Sequence, residues 1–328
     1  MQGMKMGIPA VVAALGLCRI ASVEAKEPVR VELNDLHIAI DADSGGLLEL
    51  EYAGIKMLQA SPESASLLDA AYPGYGFEPL RLGVRYSQHA RVEKTDRGIV
   101  IAWDALGMSR AFEPKAAVSA TVYIQNAADG RSILLTALVD NQSEIAIPQV
   151  LFPDLAGLRP FAGEEHTELR TCGFVMKPFR ELNLSEDDGR WYATRRNWAV
   201  LKSGAYDKSM AARWMDLGSL KGGFSLFPKL WSWGPLNSSS EPTSDHVLLH
   251  LSSIDGTLRL MCEHRVTIEP GEKWTSPEYT LTPHLHGWAK GIEPFRAWVN
   301  ENVQRPYPLP KHLRETLGCR SVWMTEQY

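Results

Sequence analysis

Asp216 follows Arg213 and Trp214, a spacing that could offer a carboxylate and a guanidinium to the hydroxyl groups of a ligand. Such neighbours also form ordinary surface ion pairs, which contribute little. Trp191, Trp198, Trp214, Trp231 and Trp233 crowd into one short stretch and make up half of the chain's 10 tryptophans. An indole face stacks on the apolar face of a sugar ring and its N–H donates to hydroxyls, although large rings equally fill the space between sheets. Trp231-Ser232-Trp233 leads into Gly234-Pro235 and the Ser-rich run 237–240, a composition that favours an exposed loop. The candidates for contact with carbohydrate are therefore Trp231, Trp233, Trp214, Asp216 and Trp191.

Other chemistry finds less support. His284 and His286 would share one face of an extended strand, as a pair of metal ligands would, but no third ligand accompanies them. Asp245-His246 and His250 fare no better, and Glu164-Glu165-His166 lacks the HExxH spacing. Glu165 with His166, or Glu263 with His264, supplies the residue types of an acid–base pair; adjacent strand positions, however, point to opposite faces. The sequence contains no GxSxG, GxGxxG or GxxxxGK[ST], so serine-hydrolase, dinucleotide and P-loop chemistry lose their usual markers. We assign no metal, no cofactor and no catalytic residue from the sequence.

The elements that would position these residues are strands. Val31/Leu33, Ile38/Ile40 and Leu48/Leu50/Tyr52 alternate with period two and are separated by Ser44-Gly45-Gly46 and closed by Ala53-Gly54, the pattern of a β-meander. Val118/Ala120/Val122/Ile124 and Ile133/Leu135/Ala137/Val139 form a hairpin across 126–130, and further strand-like runs lie at 99–103, 247–251 and 258–268. Helical spacing emerges only near the end, where Ile292, Phe295, Val299 and Val303 predict a helix over about 291–304 with Pro294 in its first turn. Pro306, Pro308 and Pro310 then stiffen the chain as a linker would.

Composition and charge narrow the setting. The 328 residues suffice for a large core, and a net charge of −5 argues against a nucleic-acid partner, which requires clustered Lys and Arg. Residues 1–25 read as a secretory signal: Lys5, the apolar run 8–18, then Val23-Glu24-Ala25 at the cleavage position. Arg19 interrupts the apolar run too early for a membrane span, so none is expected after cleavage. Secretion or a periplasmic location follows as the expectation. Cys172, Cys262 and Cys319 would remain, which permits at most one internal disulfide.

A set of motifs in order carries a resemblance. These are Asp43-Ser44-Gly45-Gly46-Leu47-Leu48, then Val139-Asp140-Asn141-Gln142-Ser143 leading to Leu151-Phe152-Pro153-Asp154-Leu155-Ala156-Gly157-Leu158, then Met215-Asp216-Leu217 with Gly222-Gly223. Pro270-Gly271-Glu272-Lys273-Trp274, Thr282-Pro283-His284, Gly287-Trp288, Leu317-Gly318 and Trp323-Met324 follow. Together they resemble the N-terminal region of a bacterial family of secreted glycoside hydrolases, over roughly residues 30–328. The resemblance implies a mainly β fold: a two-layered antiparallel, galactose-mutarotase-like β-sandwich that precedes a (β/α)8 barrel. It places the sandwich at 26–288, a helix and Pro-rich linker at 289–310, and the start of a truncated barrel at 311–328. Catalytic carboxylates would sit at barrel strand ends, where this sequence offers only Glu326, and glycoside hydrolysis takes two. The expected function is a non-catalytic carbohydrate-binding or supporting domain. The alternatives are a free-standing glycan-binding module, or a sugar epimerase or polysaccharide lyase that uses the sandwich groove.

Overall fold

The computed structural model describes residues 26–72, 80–109, 117–161, 163, 166–171, 174–178, 198–205, 214–230, 247–254 and 257–302. The strands form three antiparallel sheets of four, ten and seven. Val29–Leu33, Leu36–Ile40, Leu47–Tyr52 and Ile55–Gln59 make the four-stranded meander that the alternation predicts. Its first turn places Asn34 and Asp35 at φ 48° and 64°, and its last places Ala53 and Gly54 at φ 50° and 77°. Two successive positive φ angles match the right-handed strand twist of a tight hairpin, and Asn, Asp and Gly tolerate them most readily.

In the ten-stranded sheet, Val118–Asn126 pairs along its whole length with Ile133–Asn141. Val118, Ala120, Val122 and Ile124 are buried while Ser119, Thr121, Tyr123 and Gln125 are half-buried, so the period of two sorts side chains onto opposite faces. Asp129 fixes the connecting turn by accepting hydrogen bonds from the backbone N–H groups of Arg131 and Ser132 and from the Ser132 hydroxyl. One apolar core, running from Leu33 to Leu281, takes side chains from all three sheets. The mainly β, antiparallel sandwich is thus the observed fold. A Leu58–Leu158 bridge and the Gln59 N–H to Gly157 O bond join the small sheet to the end of the strand Gln149–Ala156, which belongs to the seven-stranded sheet.

Two helices follow the last strand, α1 (Trp288–Gly291) and α2 (Glu293–Asn302). As the spacing predicts, α2 buries Phe295, which packs edge-on against Phe227 at 5.3 Å between ring centroids, with Val299 half-buried beside it. Val303, the fourth residue of that pattern, lies outside the described residues, as do residues 1–25 and 303–328. The sequence did not foretell α1, because one helical turn is too short to show a period. Among the described residues, no helix is long and apolar enough to cross a membrane.

Candidate functional site

Three strands of the ten-stranded sheet turn opposite faces to the core and to the helices. Met215 and Leu217, Phe224 and Leu226, and Tyr279 and Leu281 enter the core. Asp216, Ser225, Thr282 and His284 alternate with them and therefore face the other way. Over that polar face lies α1, tied down by the Ser225 hydroxyl donating to the Gly291 carbonyl at 2.7 Å.

Asp216 and His284 meet there. The His284 Nε2 lies 2.5 Å from Asp216 Oδ2, and the two side chains are 0% and 1% exposed, respectively. Glycines make the approach possible: a Cβ on Gly218 would stand 2.6 Å from Asp216 Oδ1, and one on Gly291 would stand 2.8 Å from Asp216 Oδ2. Burial pushes the Asp216 carboxyl above its ordinary range, while the hydrogen bond from His284 and the nearby Arg170 hold it down in part. Asp216 Oδ1 and His284 Nδ1 are buried with no hydrogen-bond partner, as is Trp214 Nε1.

A small pocket of about 110 Å3 opens beside this pair. Asp216, Gly218, Ser219 and Leu220 form part of its lining, together with His286, Gly287 and Trp288. Arg170, opposite Asp216 in strand register, contributes its guanidinium 5.7 Å from the Trp288 ring centroid. Glu168 anchors that guanidinium at 2.7 Å. Leu220, 86% exposed, and Trp288, 41% exposed, are the large apolar side chains most open to solvent among the described residues, and both stand at this pocket. An aromatic face, an anchored cation and a buried acceptor in one concavity suit a ligand with both apolar and hydroxyl-bearing faces.

Of the residues singled out in the sequence, Asp216 reaches this pocket. Trp214 lies buried behind it, 6.2 Å from the Trp288 ring, so it backs the aromatic wall instead of facing solvent. Trp191, Trp231 and Trp233 lie outside the described residues, as do Arg213, Glu164, Glu165, Asp245 and His246. His284 and His286 do not share a face. The strand Tyr279–His284 stops at the first, and His286 turns out to the pocket at φ 66°. Trp288 and Arg170 were missed as site residues, and His284 was considered only as half of a metal pair. The Gly287-Trp288 motif was the one available signal for the first, whereas Arg170 enters only through cross-strand pairing.

Solved structures resemble this fold. The chain is similar to an α-galactosidase from Lactobacillus brevis, at 11% identity over 85% of this chain and 42% of that one, with a TM-score of 0.46. It is similar to the GH36 α-galactosidase of Geobacillus stearothermophilus in complex with stachyose, at 8% identity over 85% and 44%, TM-score 0.48. A galactose mutarotase related enzyme from Lactobacillus acidophilus aligns at 11% identity over 79% and 98%, TM-score 0.44. The chain thus spans less than half the length of the α-galactosidases it matches. No protein-family model matches the sequence, and no curated protein sequence does.

A second ionic cluster lies on the seven-stranded sheet. Arg259 makes two bonds to Asp154, at 2.6 and 3.1 Å, and Ser66 donates to the same carboxylate. Asp69 lies 3.5 Å from Arg81, with one carboxyl oxygen unpartnered. Asp69, Asp154 and Arg259 are all buried, and the cluster reads as a structural ion network. Glu263 and His264 diverge, as neighbours on a strand must: Glu263 meets Gln149 and Arg265, and His264 meets the Phe152 carbonyl and the Tyr279 hydroxyl.

Proposed function

We propose that this chain is a carbohydrate-binding β-sandwich of a secreted glycoside hydrolase-like protein, and that it holds sugar without hydrolysing it. The observation that carries the reading is the placing of Trp288 and Leu220, both exposed, around a pocket whose lining includes the buried Asp216. Trp288 would accept the apolar face of a pyranose, and Arg170 would donate to ring hydroxyls. Among the described lining residues Asp216 is the one carboxylate, whereas both stereochemical courses of hydrolysis take a pair.

Titration of the full chain against a panel of oligosaccharides tests the reading. Trp288→Ala should weaken binding by about tenfold, the loss of roughly 1.4 kcal/mol of stacking. Its melting temperature should stay near that of the wild type. Equal binding by wild type and variant would remove the pocket from the account. Turnover of aryl glycosides above a heat-killed control would contradict the non-hydrolytic half. Residues 1–25 support export, and N-terminal sequencing of the exported protein should begin at Lys26. Retention of Met1 on protein recovered from outside the cytoplasm would refute the cleaved signal.

A further inference from the structure

We infer that the outward face of the ten-stranded sheet, from the strand Arg91–Thr95 to the strand Ile133–Asn141, docks a second copy of this chain, with Tyr123 near the centre of the contact. Elsewhere on that sheet, α1 and α2 lie over the outward side of Gly223–Pro228 and its neighbours, held by the Ser225–Gly291 bond and the Phe227–Phe295 contact. There the outward side chains Asp216, Ser225, Thr280 and Thr282 are buried. The same face continues over Ile133–Asn141, Val118–Asn126 and Gly98–Trp103, where the outward side chains are half-buried and keep part of their surface open. A sheet face that meets water ordinarily turns polar side chains to it. Here Val100, Leu134 and Leu138 point outward, because Ile99, Ile101, Leu135, Ala137 and Val139 alternate with them into the core. Tyr123 lies opposite Val100 on one side and Thr136 on the other, so Leu134 and Leu138 are its diagonal neighbours, within reach of an aromatic ring. The apolar side chains thus form one patch with a polar rim, which marks a contact site.

Area, charge and shape point to a second copy as the occupant. Four strands about 4.8 Å apart and roughly 25 Å long present about 500 Å2. Two copies would then bury about 1,000 Å2, the lower bound of a specific interface. At the border Arg91 pairs with Asp104 and Lys273 with Asp140. Together with Glu93, these two cations and three carboxylates leave a net charge of −1 there, against −5 for the whole chain. A like-charged copy therefore meets little repulsion at this face. Two antiparallel sheets also stack naturally face to face, in an aligned packing about 10 Å apart. The sheet edge is closed to a copy instead: Arg91, Glu93 and Lys94 of the edge strand are exposed, and charge on an edge opposes strand-to-strand pairing.

The test is sedimentation velocity on the full chain across a concentration series, with two variants at the centre of the face. The wild type should dimerise reversibly with a Kd of roughly 1–100 μM, as an interface at the lower size limit implies. In a two-fold contact the central residue of one copy lies near that of the other. Tyr123→Glu alone and Tyr123→Lys alone should therefore each weaken association at least about tenfold, by setting like charges together. An equimolar mixture of the two should recover a heterodimer, since opposite charges then meet. Well below the wild-type Kd all three proteins should melt alike, because position 123 lies outside the core. Thr136→Glu and Thr136→Lys, beside Tyr123 on the same face, repeat the test if the first pair melts early. A wild type that stays monomeric to about 1 mM would overturn the inference. A dimer that neither variant weakens, or a mixture that stays monomeric, would overturn it equally.

Discussion

Asp69 and His264 are buried ionisable groups whose effects on stability run in opposite directions with pH. Burial pushes the Asp69 carboxyl up to about 6, with the Arg81 guanidinium offsetting part of the shift. Burial pushes the His264 imidazole down to about 4, against the bond to the Phe152 carbonyl. A carboxyl raised in the folded state contributes stability that is complete below about 4 and lost as pH rises through about 6. An imidazole lowered in the folded state contributes stability that is complete above about 6.5 and lost as pH falls through about 4. Each swing is about 3 kcal/mol, so the two nearly cancel between those limits. Asp69→Asn should make stability rise with pH between pH 4 and 6, relative to wild type, and His264→Gln should make it fall. Urea denaturation at several pH values checks both, and unchanged slopes would mean that the groups titrate alike in the folded and unfolded chain. The sequence showed these residue types but not their state, because burial on the far side of a sheet is a tertiary fact. Asp216 was named from its sequence neighbours Arg213 and Trp214, whereas its hydrogen-bond partner, His284, arrives from a strand that the chain forms much later.

Alternation announced the long hairpin at 118–141 because its first strand sets Val118, Ala120, Val122 and Ile124 against Ser119, Thr121, Tyr123 and Gln125, and its second repeats Ile133, Leu135, Ala137 and Val139 with the same period. The strand Gln149–Ala156 is buried along almost its whole length, and such continuous runs carry no period to read. Helix α2 was visible through Phe295 and Val299, whereas what it covers was not. It sits on Phe227 and Trp214, which belong to the polar, outward face of the sheet and form a small second apolar cluster there. That cluster seats α2 next to α1 and hence beside the pocket wall. Phe295 is 6% exposed, so Phe295→Asp would drive a charge into an apolar contact and should cost several kcal/mol. Thermal melts should show a drop of many degrees, together with weaker sugar binding as the wall loosens. An unchanged melting temperature would place α2 outside the cooperative unit.

At the scale of the whole molecule, the described residues are mainly strands, with one large core shared by three sheets and two helices laid over the other face of the ten-stranded sheet. The sandwich was legible where Ser44-Gly45-Gly46, Ala53-Gly54 and the turn at 126–130 separate alternating runs; the strands Asp69–Tyr72, Leu80–Gly83 and Arg91–Thr95 were not. The third sheet was not, since nothing local tells a meander whether it extends a neighbouring sheet or stands apart. The site depends on this arrangement: a sheet with one face in the core leaves the other to carry Asp216 and His284 under a helix, with Trp288 at the opening. The most direct measurement is a crystal structure of the full chain with a bound oligosaccharide. A pyranose should stack against the Trp288 ring, with the Arg170 guanidinium donating to one of its hydroxyls. Sugar bound only elsewhere, with this pocket empty at saturating ligand, would contradict that placement.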